Sequence, residues 1–173
     1  TAPNSRLSGP PAKHDIDATE SARSGPWGAA GATQMASVLH GRGAIGSFFF
    51  TTDYVSGWWD PATVRSVCAL GMCPVGGHSV RHFASPASQP VGDCSERFPG
   101  YVPTTLAEST LCGEARVSLM LAGEAAGSAA VAWRSPFLDV HPRLFDVLSE
   151  QGVRVDSSFA VGDFKTNLPL DLA

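Results

Sequence analysis

The chain has 173 residues, 43% of them hydrophobic and 16% charged, with a formal net charge of −4. That is one domain's worth of sequence, long enough to bury roughly 70% of its unfolded surface and too apolar and weakly charged for a disordered segment. The twelve Lys and Arg are scattered singly, which leaves no basic face for a nucleic acid, and no apolar run approaches the roughly 20 residues that span a bilayer.

Eighteen Gly and thirteen Pro exceed the usual combined share of about 12%, so much of the chain is loop. Residues 1–12 read as an extended leader, without a signal-peptide core but similar to a mature secreted end or a clipped linker. Lys13-His14-Asp15-Ile16-Asp17 reads as a short first strand. Met35, Val38 and Leu39 have helical spacing between Thr33 and His40, and Gly41 and Gly43 stop that helix. The run from Ala44 to Thr52, centred on Phe48-Phe49-Phe50, has the composition of a buried strand.

Asp60-Pro61 predicts a helix start, with an acidic cap and Pro at the first helical position. Val64, Val67, Cys68 and Leu70 give that helix an apolar face and Gly71 ends it. Residues 72–77 lead as a strand into His78. Residues 83–105 are a Pro, Ser and Gly-rich excursion without periodicity. A helix follows over 106–123, with an interruption expected near Cys112-Gly113. Ala129 to Trp133 is the next strand, His141-Pro142 opens a helix closed by Gly152, and Val153 to Ser158 is a further strand and its loop. Met35 and Met120 read as core by helical spacing. About five strands alternating with helices predict parallel βα units rather than a sandwich.

Cys68, Cys73, Cys94 and Cys112 form an even set without a CxxC pair, which argues against a zinc knuckle or a thioredoxin-type site. Three pairings exist. The local solution joins Cys68 to Cys73 and Cys94 to Cys112, as suits a loop-rich secreted domain. The alternative is four buried free thiols in a cytosolic protein.

Two constellations could carry chemistry. His78 and His82 are four apart behind a Gly-Gly; on one helical turn both imidazoles would share a face and could meet one cation. Asp15 and Asp17 are two apart, on one side of a strand, where a cation would relieve their repulsion. Two imidazoles, a carboxylate and a spare carboxylate suit a hydrolytic metal with a base beside it.

These residues resemble the motifs of the polysaccharide deacetylases, the NodB-homology carbohydrate esterases. His14-Asp15-Ile16-Asp17 is similar to the family's first motif, His78-Ser79-Val80-Arg81-His82 to its His-Ser/Thr-x-x-His motif, and Trp133-Arg134-Ser135-Pro136-Phe137 to its Arg-x-Pro-aromatic motif. The segment from Gly152 to Asp156-Ser157-Ser158 resembles the strand that follows, and the likeness covers residues 13–165. It implies a distorted or incomplete (β/α) barrel and a metal-dependent deacetylase of N- or O-acetylated carbohydrate. Asp17, His78 and His82 would bind a divalent cation, zinc with cobalt or nickel as alternatives. Asp15 would be the general base, Arg134 its orienting cation, and a backbone N–H near Phe137 would help hold the oxyanion. Phe137, Trp58 and Trp59 are the expected sugar contacts, though the two tryptophans could equally cap the barrel.

The family's late Leu-x-His motif has no counterpart, since none of the five histidines lies beyond His141. The strands are also fewer than the family's seven or eight. Residues 13–173 therefore read as a deacetylase domain lacking its last barrel units: either a fragment whose remainder is elsewhere, or a short variant, with a second copy as a partner for the open sheet. A catalytically silent carbohydrate-binding domain and a hydrolase of small cyclic amides are the competing functions.

Overall fold

Five strands lie parallel and side by side in chain order: β1 (Ala12–Asp15), β2 (Gly46–Phe50), β3 (Gly76–Gly77), β4 (Ala132–Trp133) and β5 (Val155–Asp156). The computed structural model describes residues 12–15, 29–53, 59–95, 97–98, 100–158, 160–161, 166–167 and 170–171, with side chains for 31–53, 59–95, 97–98 and 100–158. Two further strands, β6 (Ala160–Val161) and β7 (Thr166–Asn167), pair with each other, and β8 (Leu170–Asp171) runs antiparallel along β5. Among the described residues the main sheet is open, with β1 and β8 at its edges.

Parallel neighbours need crossover connections, and helices lie between the strands that adjoin. These are α1 (Ala29–Gly41), α2 (Pro61–Ala69), α3 (Leu111–Ala126) and α4 (Leu144–Glu150), each packed on the next. Spatial order equal to chain order is the progression of a (β/α) barrel, as the sequence implies.

The local signals behave as their chemistry dictates. Asp60 caps α2, its carboxylate accepting from the Ala62 and Thr63 amides at 3.0 and 3.1 Å. Gly71 follows that helix at φ +83°, where a Cβ would be strained. Along β2, Phe48 and Phe50 face the helices and join a core with Val64, Val67, Leu111 and Leu144, each buried valine or leucine worth roughly 1.5–3 kcal/mol. Phe49 points to the opposite face, where it lines a cavity of about 210 Å³ with Ile45, Met72, Val131 and Val155.

Both cysteine pairs are local disulfides, Cys68–Cys73 and Cys94–Cys112. The second ties the long excursion to the first turn of α3. That excursion also supplies carbonyls to the helix, Pro90 to the Leu111 amide and Val91 to the Cys112 amide, both at 2.9 Å. Two donors that a helix start would leave unmatched are thus satisfied.

Three expectations change. The break before α3 falls at Ser109-Thr110, between a 3-10 turn (Leu106–Glu108) and the Thr110 cap, rather than at Cys112-Gly113. Gly113 lies inside the helix because a Cβ there would sit 2.4 Å from the Tyr101 ring. His141 is followed by a turn and α4 begins at Leu144. Met35 packs on the core, but Met120 is exposed, since Leu119 and Ala122 take the inward positions of α3.

Candidate active site

The register lays Asp15, Phe49, Gly76, Ala132 and Val155 in one row across the sheet. His78 and Arg134 leave the strands two residues later. Loops at the carboxyl ends of parallel strands are where such sheets bind ligands, and His78, His82 and Arg134 come together at that end. The backbone of Asp15 closes β1 there, whereas Asp17 and Trp58 lie outside the described residues.

Glycine is required beneath the histidines. A Cβ on Gly76 would stand 2.4 Å from the Phe49 ring, and one on Gly77 would stand 3.0 Å from Ser118 Oγ and 3.1 Å from the Trp133 ring. The His78 amide then donates to Phe50 O at 3.0 Å, extending the β2–β3 ladder by one bond. From there the chain turns sharply, with Ser79 at φ +65° and His82 at φ +55°. The segment is a left-handed loop, not the helical turn expected from the i, i+4 spacing. Ser79 Oγ accepts from the His82 amide at 2.8 Å, and Glu114 Oε2 accepts from the Val80 and Arg81 amides at 2.8 and 3.1 Å. Arg81 Nη1 donates to the buried carboxylate of Asp53 at 2.8 Å.

By this route the loop achieves what a helix would have done. His78 and His82 are 2% and 5% exposed, and their Nε2 atoms are 3.1 Å apart. His78 Nδ1 lies 2.7 Å from Arg134 O. A carbonyl only accepts, so Nδ1 carries a proton, and in the neutral ring Nε2 is then the acceptor nitrogen. Metal-ligating histidines have this arrangement, with the second nitrogen donating to a backbone carbonyl. Two nitrogens bound to one tetrahedral zinc at about 2.0–2.1 Å would be separated by about 3.3 Å, so the pair fits such an ion. Among the described residues no third His, Cys, Asp or Glu joins the pair.

The turn after β4 forms the other wall. The Arg134 amide donates to Gly77 O at 3.1 Å, and its Nη1 donates to Ser157 O at 3.2 Å. Burial lowers the Arg134 pKa, with Asp156 opposing. Burial pushes the Asp156 carboxyl up, while hydrogen bonds from Ser158 and the Arg134 charge pull it back. Ser158 Oγ bridges, donating to Asp156 Oδ2 and accepting from the Ser135 amide, both at 2.7 Å. Phe137, at φ +56° and 68% exposed, sets its ring edge-to-face on His82 with centroids 4.7 Å apart.

Trp59 is corrected: it is 7% exposed and packs edge-to-face on Phe50, so it belongs to the core and offers no open face to a sugar. The sequence reading did not single out Glu114, Asp53 or Asp156 as site residues. Of these only Asp156 had a visible signal, an acidic residue at the end of a predicted strand. Glu114 is buried; desolvation raises its pKa, and the Arg81 and Val80 amides and the Tyr101 hydroxyl pull it back.

No protein-family model and no curated protein matches the chain. Solved structures do. A family 4 carbohydrate esterase from Streptomyces lividans, in complex with acetate, superposes with a TM-score of 0.53 at 19% identity, over 83% of this chain and 58% of that one. A proposed polysaccharide deacetylase from Mycobacterium smegmatis gives 0.56 at 19% identity, over 92% of this chain and 56% of that one. A mutant CE4 family pseudoenzyme with restored enzymatic activity gives 0.53 at 12% identity, over 73% and 39%. The chain thus spans between 39% and 58% of the length of these structures. At these identities what is shared is the fold, and it is the fold that the sequence motifs imply.

Proposed function

We propose that residues 13–173 form a deacetylase domain of the NodB-homology type, hydrolysing acetyl groups of a carbohydrate outside the cytosol. The observation that carries this is the buried imidazole pair, with Nε2 atoms 3.1 Å apart and His78 oriented by Arg134 O at 2.7 Å. It stands at the carboxyl ends of the strands, on the fold of carbohydrate esterases. The two disulfides suit an oxidising compartment, and no helix of the described residues is long and apolar enough to cross a membrane.

His78 and His82, with Asp17, would hold a divalent cation, zinc before cobalt or nickel, and when bound it would polarise the acetyl carbonyl and lower the pKa of a water. Asp15 takes the proton of the attacking water as general base. Arg134 favours the ionised form of Asp15, because a nearby cation depresses a carboxylate pKa. The ring of Phe137, open to solvent beside His82, meets the sugar, and the backbone N–H at that turn supports the oxyanion. Trp58 is retained as a second sugar contact.

A silent sugar-binding domain is the second reading, since one of the similar structures is a mutant of a CE4 family pseudoenzyme. Metal content and acetate release, measured on one sample beside the His78→Ala/His82→Ala variant, decide between them. Stoichiometric metal, with acetate release that falls at least a hundredfold in the variant, is the expected result. Metal without turnover on any acetylated glycan would establish the silent domain, and equal metal content in both proteins would overturn the site.

A further inference from the structure

The loop that joins the two imidazoles has one internal hydrogen bond, from the His82 amide to Ser79 Oγ, and is otherwise held from outside. Ser79 and His82 both adopt left-handed backbone, which disfavours side chains with a Cβ. Val80 and Arg81 lie between them, and their successive amides point to α3. Successive N–H groups in such a bend form a concave anion site. Here the anion is a side chain, Glu114 Oε2, at 2.8 and 3.1 Å.

The same helix face makes a second contact one turn on. Ser118, four residues after Glu114, places Oγ 3.3 Å from the His78 amide and 3.4 Å from Phe50 O. The other oxygen of Glu114 lies 3.3 Å from the Tyr101 hydroxyl, which accepts from the Thr110 amide at 2.9 Å. Gly113 leaves the space that lets the Tyr101 ring approach, since a Cβ there would stand 2.4 Å from it. Glu114 itself is 3% exposed, and the Arg81 guanidinium is turned to Asp53. Its carboxylate is thus committed to the loop and to Tyr101.

We infer that Glu114 is a positioning residue for the imidazole pair, fixing the turn after β3 in the conformation where the two Nε2 atoms meet. Its functional meaning rests on the metal-binding reading given above; its structural content does not. Glu114 touches neither substrate nor the reacting atoms and acts through the backbone of Val80 and Arg81.

The test uses the whole chain, freed of metal, as wild type, Glu114→Gln and Glu114→Ala. Zinc affinity is read by competition with a chromogenic chelator, and site geometry by the visible spectrum of added cobalt. Glu114→Gln keeps an acceptor oxygen, so its zinc affinity should stay within a few-fold of wild type, with an unchanged cobalt spectrum. Glu114→Ala should bind zinc roughly 10–100-fold more weakly, the usual cost of losing a group that orients a ligand, with an altered cobalt spectrum. A folded Glu114→Ala protein with wild-type affinity and spectrum overturns the inference. Should that variant fail to fold, Glu114→Asp replaces it: the shorter carboxylate must weaken zinc binding, and wild-type binding there overturns the inference equally. If wild type binds neither ion, the metal reading falls while the positioning role is read by NMR of the metal-free protein. The Val80 and Arg81 amide protons and the ring nitrogens of His78 and His82 should then shift in Glu114→Ala and hold in Glu114→Gln. Unchanged resonances in both sink it.

Discussion

The turns after β3 and β4 carry the candidate chemistry between them, and they are held in opposite ways. In the first, His78, Ser79, Val80 and His82 are all buried, and the amides of His78, Val80, Arg81 and His82 each meet an acceptor on β2, α3 or Ser79. In the second, the amides of Arg134 and Ser135 are tied to Gly77 and Ser158, and then Phe137 emerges into solvent on left-handed backbone. Two imidazoles must meet at a fixed separation, and buried polar contacts provide that. A ring proposed to meet a sugar needs only to be presented, and an exposed turn provides that.

The sharpest way to break this contrast is Gly76→Ala, directly beneath the first turn. The added Cβ meets the Phe49 ring at 2.4 Å and Ala132 O at 2.8 Å. Overpacking of this kind costs about 3 kcal/mol, read by chemical denaturation. A variant as stable as wild type would mean that the first turn is not built on close packing. Ser158→Ala tests the supported half of the second turn, removing the group that joins Asp156 to the Ser135 amide. A loss of about 1–2 kcal/mol is expected in the same measurement, because a buried donor and acceptor are left unmatched. Phe137→Ala has the smallest effect on stability, within about 0.5 kcal/mol as for an exposed side chain. It should instead raise KM for an acetylated oligosaccharide severalfold with little change in kcat, as for loss of uniform binding. A fall in kcat at unchanged KM would place Phe137 in the chemistry rather than at its rim.

The same two turns mark how far the sequence could be read. Asp60-Pro61 announces α2 because a cap is made within four residues, and of the three possible cysteine pairings the local one is formed. The His-x-x-x-His spacing points to the imidazole pair but suggests a helix; the pairing is made by positive φ at Ser79 and His82, which no periodicity encodes. Glu114 was invisible for a related reason. It lies on another element, more than thirty residues from the amides that it binds, and a lone acidic residue in a helix reads as a solvated face. Trp59 stays ambiguous in the sequence because a tryptophan before a helix looks alike whether its ring meets a sugar or, as here, Phe50. Local chemistry was legible, while packing between distant segments was not.

The Cys94–Cys112 bridge links this arrangement to the redox state of the chain. It closes an 18-residue separation, a constraint worth roughly 3 kcal/mol in the loop-entropy view, and its inner end is two residues from Glu114. Tyr101, which faces Glu114, lies within the loop it closes. Oxidation of one thiol pair therefore presses the excursion onto the start of α3, and through α3 bears on the seat of the two histidines. A chain held among reducing thiols would lack the fastening on which the seat of the two histidines leans.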